Sequence, residues 1–191
     1  MFSDSVHTQP QAYAAVEGAS RAIGFSMPSD LQTGALLKAL AASKPQSRIL
    51  EIGTGTGLAT SWLLDGMDMD STLISIDNEA SFQAIAAEAL GHDRRLELIC
   101  TDAAEWLETQ SDTFDLIFAD AWPGKYANLD CTLNALKPGG VYVIDDMLPQ
   151  PNWPAGHQAN VDALVAQLEQ RPDVTPVKLA WSTGIMLVVK K

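Results

Sequence analysis

A chain of 191 residues and 20.5 kDa has the length of one compact domain, and 47% hydrophobic with 19% charged residues is a globular balance that excludes extensive disorder. The 24 acidic residues against 12 Lys+Arg leave a formal charge of −12, a surface that repels polyphosphate, so no nucleic-acid partner is expected. Two cysteines, Cys100 and Cys131, are too few for a disulfide framework or a cysteine zinc site; in apolar stretches, both are expected in the core.

The first twenty residues lack a basic start and an apolar run, and nothing approaches the ~18 apolar residues of a membrane span. The expectation is a cytoplasmic protein with no membrane partner. The one basic cluster, Arg94-Arg95, reads as the solvated start of a strand.

Along the chain, residues 11–23 and 29–42 read as helices, the second with Ser29 as N-cap and Gln32 completing a capping box. Short apolar, β-branched runs follow at 47–52, 71–77, 95–100, 114–120 and 141–146. Each is apolar on both alternations, as a strand covered on both faces must be. Helical patterns at 58–67, 79–90, 103–108 and 126–136 separate them, and this alternation implies right-handed βαβ units and a parallel sheet. The rhythm breaks at MLPQPNWPAGH, a loop, after which 158–170 reads as a helix and VTPVKLAWSTGIMLVVK as a hairpin turning at Ser182-Thr183-Gly184. The expected organisation is a single domain over 1–191. Within it lie N-terminal helices (1–45), a core (46–146), a loop (147–157) and a closing helix with hairpin (158–191).

Ligands of open α/β sheets bind beyond the carboxyl ends of the strands. The first strand ends in Glu51-Ile52-Gly53-Thr54-Gly55-Thr56-Gly57, where glycines allow a tight turn and close backbone approach. The spacing is G-x-G-x-G, with Leu58 where the nicotinamide fingerprint wants its third glycine. Glu51 would repel a pyrophosphate but suits the ammonium of an amino-acid-bearing cofactor. Asp77 ends the second strand, ~20 residues past the loop, where a carboxylate can accept both hydroxyls of a ribose. Asp102, after the third strand, reads either as a contact for an adenine amine or as the N-cap of the helix at Ala103.

The order ILEIGTGTG, SIDN, TDAAEWL, FDLIFAD resembles the class I S-adenosylmethionine-dependent methyltransferases over about residues 27 to 146. The resemblance implies a Rossmann-like, doubly wound seven-stranded α/β sheet, mostly parallel with an antiparallel C-terminal hairpin strand, in the order 3-2-1-4-5-7-6. It implies S-adenosylmethionine contacts from Met27, Glu51, Gly53, Thr54, Gly55, Gly57, Asp77, Asn78, Asp102, Ala103 and Asp120. A closer resemblance is to the catechol and caffeoyl-coenzyme A O-methyltransferase group, carried by MPSDLQTGALLKALAASKPQSRILEIGTGTG, FADAWPGKY and VIDDM. It implies Asp120, Asp145 and Asp146 as oxygen ligands of Mg²⁺ (or Mn²⁺ or Ca²⁺), a small hydroxylated, catechol-like acceptor, and a homodimer.

Two positions depart from that group. Asp146 stands where it has an asparagine, and Pro123 where it has its catalytic lysine, with Lys125 two positions on as the alternative base. Two other readings follow: a metal-independent methyltransferase, and a cofactor-binding protein without turnover. Trp122, Trp153 and Trp181 are candidates for an acceptor wall or for ordinary packing. His157 is a candidate base, or a helix cap or surface residue; His7 and His92 read as solvated.

Overall fold

The computed structural model describes residues 3–191. Helices α1 (Tyr13–Ala22) and α2 (Leu31–Ala42) precede a strand–helix alternation. It runs β1 (Arg48–Ile52), α3 (Leu58–Gly66), β2 (Thr72–Asp77), α4 (Ala80–Leu90), β3 (Leu96–Cys100), α5 (Ala103–Thr109), β4 (Phe114–Ala119), α6 (Leu129–Ala135), β5 (Leu136–Ile144), α7 (His157–Glu169), β6 (Val174–Leu179) and β7 (Ile185–Lys190). The strands form one sheet ordered β3-β2-β1-β4-β5-β7-β6. β1 to β5 pair in parallel, and β7 runs antiparallel between β5 and β6. The expected α/β architecture and strand order are both present.

Two apolar layers sandwich the sheet, and strand alternation assigns residues to each. Leu50 and Ile52 of β1 face Leu107, Leu133, Leu164 and Leu168 from α5, α6 and α7. Ile49, one residue before Leu50 and on the opposite face, meets Leu37, Ala59 and Leu63 from α2 and α3. A third cluster, Tyr13, Val16, Leu58 and Trp62, docks α1. Among the described residues no helix is long and apolar enough to cross a membrane.

Several boundaries depart from the sequence reading. The helix at 126–136 is confined to α6, because residues 122–126 form a separate turn and β5 begins at Leu136, paired with Phe114 across a register shift. β5 ends at Ile144, so Asp145 and Asp146 lie outside the strand, the latter at φ 59°. Ser29 does not cap α2: the N-cap position is Asp30, and Ser29 Oγ instead donates to Asp120 Oδ2 at 3.1 Å. β3 is a sheet edge, only partly covered, so Cys100 is exposed rather than core. Cys131, on α6, is half-buried against the core rather than within it. Arg95 is not solvated; its guanidinium clamps Asp93 and donates to the Met67 carbonyl at 2.7 Å.

Candidate active site

A cavity of about 730 Å³ opens at the carboxyl ends of β1, β2, β4 and β5, the size class that takes a nucleoside-sized ligand with a small second molecule. Its floor is the loop after β1. Gly53 and Thr54 donate backbone N–H to the Ile76 carbonyl at 2.8 and 3.1 Å, holding the loop against β2. Gly57 starts α3 at φ +94°, and a Cβ there would stand 2.8 Å from Ala86 Cβ, so only glycine lets the loop pass under α4.

Asp77, the last residue of β2, accepts the Gly55 N–H at 2.7 Å through Oδ2 and the Glu79 N–H at 2.8 Å through Oδ1. A carboxylate has about four lone-pair sites, so both oxygens retain capacity for ligand hydroxyls. Asp102 is the N-cap of α5: its Oδ1 accepts from Ala104 N at 2.7 Å and Glu105 N at 3.2 Å. Its Oδ2 accepts from no group among the described residues, so the cap leaves one oxygen for the cavity that Asp102 and Ala103 line. Met27, Gly53, Thr54, Gly55 and Asn78 also line this half. The set of donating loop amides, accepting Asp77 and Asp102 carboxylates and the Asn78 amide fits an adenosine bearing an amino-acid tail.

Glu51 is placed differently from the sequence expectation. It is fully buried and does not line the cavity; Oε2 accepts from Thr60 at 2.6 Å and Ser75 at 2.5 Å, while Oε1 has no partner. Ser75 continues to Thr54 at 2.7 Å, and Thr54 accepts from Gln83 at 3.2 Å, so Glu51 supports the loop from beneath. Burial pushes its carboxyl up to about 7, against hydrogen bonds from Ser75 and Thr60 that favour the charged form. The native state keeps this proton where the unfolded chain has released it. Stability therefore falls as pH rises from about 5 through 7, by on the order of 3 kcal/mol for this group. Glu51→Gln should flatten that slope relative to wild type in urea titrations from pH 5 to pH 8. An unchanged slope would assign the pH dependence elsewhere, with Asp145 the first alternative.

The other half of the cavity is acidic. Asp120 follows β4 and Asp145 follows β5, each with its N–H still on the neighbouring strand, to Ile52 O at 2.9 Å and Ala119 O at 3.2 Å. The ladder therefore aims both carboxylates at one mouth, with Asp146 beside them. Burial, then the Asp145 charge, raises the Asp120 carboxyl well above the usual carboxylate range, and Lys125 opposes this. Asp145 is pushed up to about 6 by burial, against a hydrogen bond from the Thr183 hydroxyl. Asp146 is raised by burial, with Lys125 again opposing.

Lys125 reaches this site although Pro123 occupies the lysine position of the closer group. A turn carries it inward: Lys125 N and Tyr126 N both donate to Trp122 O, and Tyr142 Oη clamps the Gly124 carbonyl at 2.8 Å. The lysine is 4% exposed, its Nζ donating to the Asp145 carbonyl at 2.9 Å and lying 4.0 Å from Asp120 Oδ1. Asp145 Oδ1 is already taken by Thr183 and the Asp146 N–H. Among the described residues no group of three His, Cys, Asp or Glu is arranged to hold a metal ion. Asp120, Asp145 and Asp146 thus share a cavity without forming a ready ligand set.

An aromatic wall closes this acidic half of the cavity. His157, the first residue of α7, is buried rather than at the surface; its Nε2 pairs with Tyr126 Oη at 3.1 Å, and Nδ1 has no partner. Trp122, Tyr126 and Trp153 surround it with ring centroids 5.3, 5.1 and 4.6 Å away. Trp181, half-buried, packs against the core instead. Burial raises the Tyr126 hydroxyl to about 12, so it stays a hydrogen-bonding phenol. Sequence reasoning missed Ser29, Tyr126 and Thr183. Tyr126 stood in the quoted FADAWPGKY motif, whereas Ser29 and Thr183 meet Asp120 and Asp145 across 91 and 38 residues, which leaves no local signal.

The comparisons agree with this geometry. A family model described as a methyltransferase domain matches residues 50–147. A protein of Mycobacterium sp. (strain JLS) named as an O-methyltransferase is 31% identical over 171 residues, covering 82% of this chain and 76% of its own. A similarly named protein of Mycolicibacterium vanbaalenii is 37% identical over 117 residues, a match spanning 58% of this chain and about half (52%) of that relative. The O-methyltransferase TomG from Streptomyces achromogenes, involved in tomaymycin synthesis and solved with S-adenosylmethionine, has a TM-score of 0.81 at 26% identity, covering 96% of this chain and 91% of its own. The chain belongs to the class I S-adenosylmethionine-dependent methyltransferases, in the O-methyltransferase group that includes the caffeoyl-coenzyme A type.

Proposed function

We propose that the protein methylates a hydroxyl group of a small, planar, catechol-like acceptor. The observation that carries this reading is the pairing, in one cavity, of an aromatic wall (Trp122, Tyr126, Trp153) with a polar pole (Lys125, Asp120) beside the glycine loop. Planar acceptors stack on such faces, and the pole orients their hydroxyls. The adenosyl end is held by Asp77, Asn78, Asp102 and Ala103, and the amino-acid end by the loop amides near Met27. The cofactor supplies a methyl group made electrophilic by its sulfonium, which departs as a thioether.

The chain itself contributes alignment, charge and a proton acceptor. Fixing the hydroxyl oxygen in line for transfer accounts for several kcal/mol of barrier, the larger part of what methyl transfer needs. Asp120, tied to Ser29 and facing Lys125, orients the acceptor hydroxyl. The hydroxyl proton passes to the Asp120 carboxylate, which lines the cavity and has Oδ1 free of any hydrogen-bond donor among the described residues.

The reading is tested by incubating the protein with S-adenosylmethionine and a panel of phenols and vicinal diols while following S-adenosylhomocysteine release. Turnover on diols is expected. Asp120→Asn should cost about a hundredfold in kcat, and Trp122→Ala should raise the acceptor KM with cofactor affinity unchanged. Cofactor binding without turnover across the panel would overturn the acceptor assignment.

A further inference from the structure

The acceptor half of the cavity gathers Asp120, Asp145 and Asp146, with Asp30 near enough to act on Asp146. Carboxylates drawn this deep need a counter-charge to stay ionised. In the closer family resemblance a divalent ion fills that role. Lys125 is the only Lys or Arg lining this cavity among the described residues, and it sits within the carboxylate group.

Its placement is built rather than incidental. A lysine 4% exposed forfeits hydration that only partners can replace, and Nζ finds the Asp145 carbonyl at 2.9 Å and the Asp120 carboxylate at 4.0 Å. The turn that delivers it is locked: Gly124 takes φ +85°, and a Cβ there would stand 2.8 Å from Ile52 Cδ1. Part of the oxygen set an ion would need is also committed, Asp120 Oδ2 to Ser29 among it. Asp145 Oδ1 serves Thr183 and the Asp146 N–H, and the Asp145 carbonyl serves Lys125 itself.

We propose that the Lys125 ammonium is the resident cation of the acceptor site, standing in for a divalent ion among Asp120, Asp145 and Asp146, so that the enzyme works without a metal. A single ammonium carries half the charge of Mg²⁺ and donates hydrogen bonds instead of accepting lone pairs. It can still balance an acceptor oxygen as its proton leaves, but it cannot chelate two vicinal oxygens at once. Specificity for a diol over a single phenol is therefore weaker than an ion would impose. Calling this region the acceptor site rests on the methyltransferase reading.

Mn²⁺ binding to the full-length protein, followed by electron paramagnetic resonance, tests the proposal alongside calorimetry with S-adenosylhomocysteine in chelator and in excess Mg²⁺. Wild type should leave Mn²⁺ free in solution and bind S-adenosylhomocysteine equally in both buffers. Lys125→Met should gain Mn²⁺ affinity by about tenfold or more, because one ammonium's repulsion is removed, and adding Asp120→Asn should abolish the gain. Micromolar Mn²⁺ binding by wild type that Asp120→Asn removes would overturn the proposal, and it needs no lysine variant to be folded. A Lys125→Met protein that binds S-adenosylhomocysteine yet no Mn²⁺ would overturn it too. Absent S-adenosylhomocysteine binding by wild type would instead sink the methyltransferase reading, leaving the Mn²⁺ result to stand separately.

Discussion

Asp77→Ala is expected to weaken S-adenosylhomocysteine binding by about a hundredfold or more, the largest loss from any single side chain of the cofactor half. A hydrogen bond to a charged group is worth ~1.5–3 kcal/mol, and Asp77 makes them in two directions. One set is internal, from Gly55 N at 2.7 Å and Glu79 N at 2.8 Å. The other is to the hydroxyls of a bound ribose. Alanine removes both, so the ligand loses its anchor and must also order a loop that was ordered in advance. Asp77→Asn keeps one acceptor oxygen and should lie between alanine and wild type. Calorimetry at fixed ionic strength gives the numbers; an alanine variant within threefold of wild type would remove Asp77 from the binding site.

The largest effect on stability is expected at Gly66. This glycine ends α3 where it crosses α2, and an alanine Cβ would lie 2.2 Å from the Lys38 carbonyl oxygen, a backbone atom. No rotamer relieves such a contact, so the two helices must separate. Gly34, on α2, meets the Trp62 indole at 2.4 Å by the same construction, so a shift at one contact disturbs the other. Overpacking of this kind costs ~3 kcal/mol or somewhat more, which for a domain of this length lowers Tm by roughly 10 °C. Gly18 is the control. It lies in the exposed middle of α1 with nothing within 4 Å of a built Cβ, and Gly18→Ala should stabilise by ~0.5–1 kcal/mol. Melting both variants beside wild type separates helix propensity from close approach. A Gly66→Ala protein melting with wild type would mean that the helix contact is slack.

The sheet was legible because each buried strand carries its own apolar run, and the cofactor half because its residues follow strand ends at readable spacings. Asp77 and Asp102 could be placed from a few neighbouring residues. The boundary between α6 and β5 could not, since Leu136 continues the apolar pattern of the helix and the apolar strand run becomes readable only at Val141, although the strand starts at Leu136. The acceptor half was least legible. Lys125 was named, but whether it could replace a lysine at Pro123 depended on the Trp122–Tyr126 turn. That turn is fixed by Tyr142, sixteen residues beyond Tyr126. His157 looked like a cap or surface residue because the rings that bury it come from distant loops. Ser29, read as a helix cap, spends its hydroxyl on Asp120 instead.

The hairpin turn between β6 and β7 folds back over the mouth of β5. Thr183 donates to Asp145, the Thr183 and Gly184 carbonyls accept from Leu148 N at 2.9 Å and Met147 N at 3.0 Å, and Ser182 meets Thr33 at 2.9 Å. During synthesis the named cofactor contacts, apart from Asp120, have all been made by Ala103, whereas the acceptor pole is incomplete until Thr183 emerges. Chain order alone does not complete either half, because β1, which carries the glycine loop, is flanked by β4 as well as β2. Changes in the hairpin turn are expected to act first on the Asp145 side of the cavity, which that turn touches directly, and less on the loop after β1.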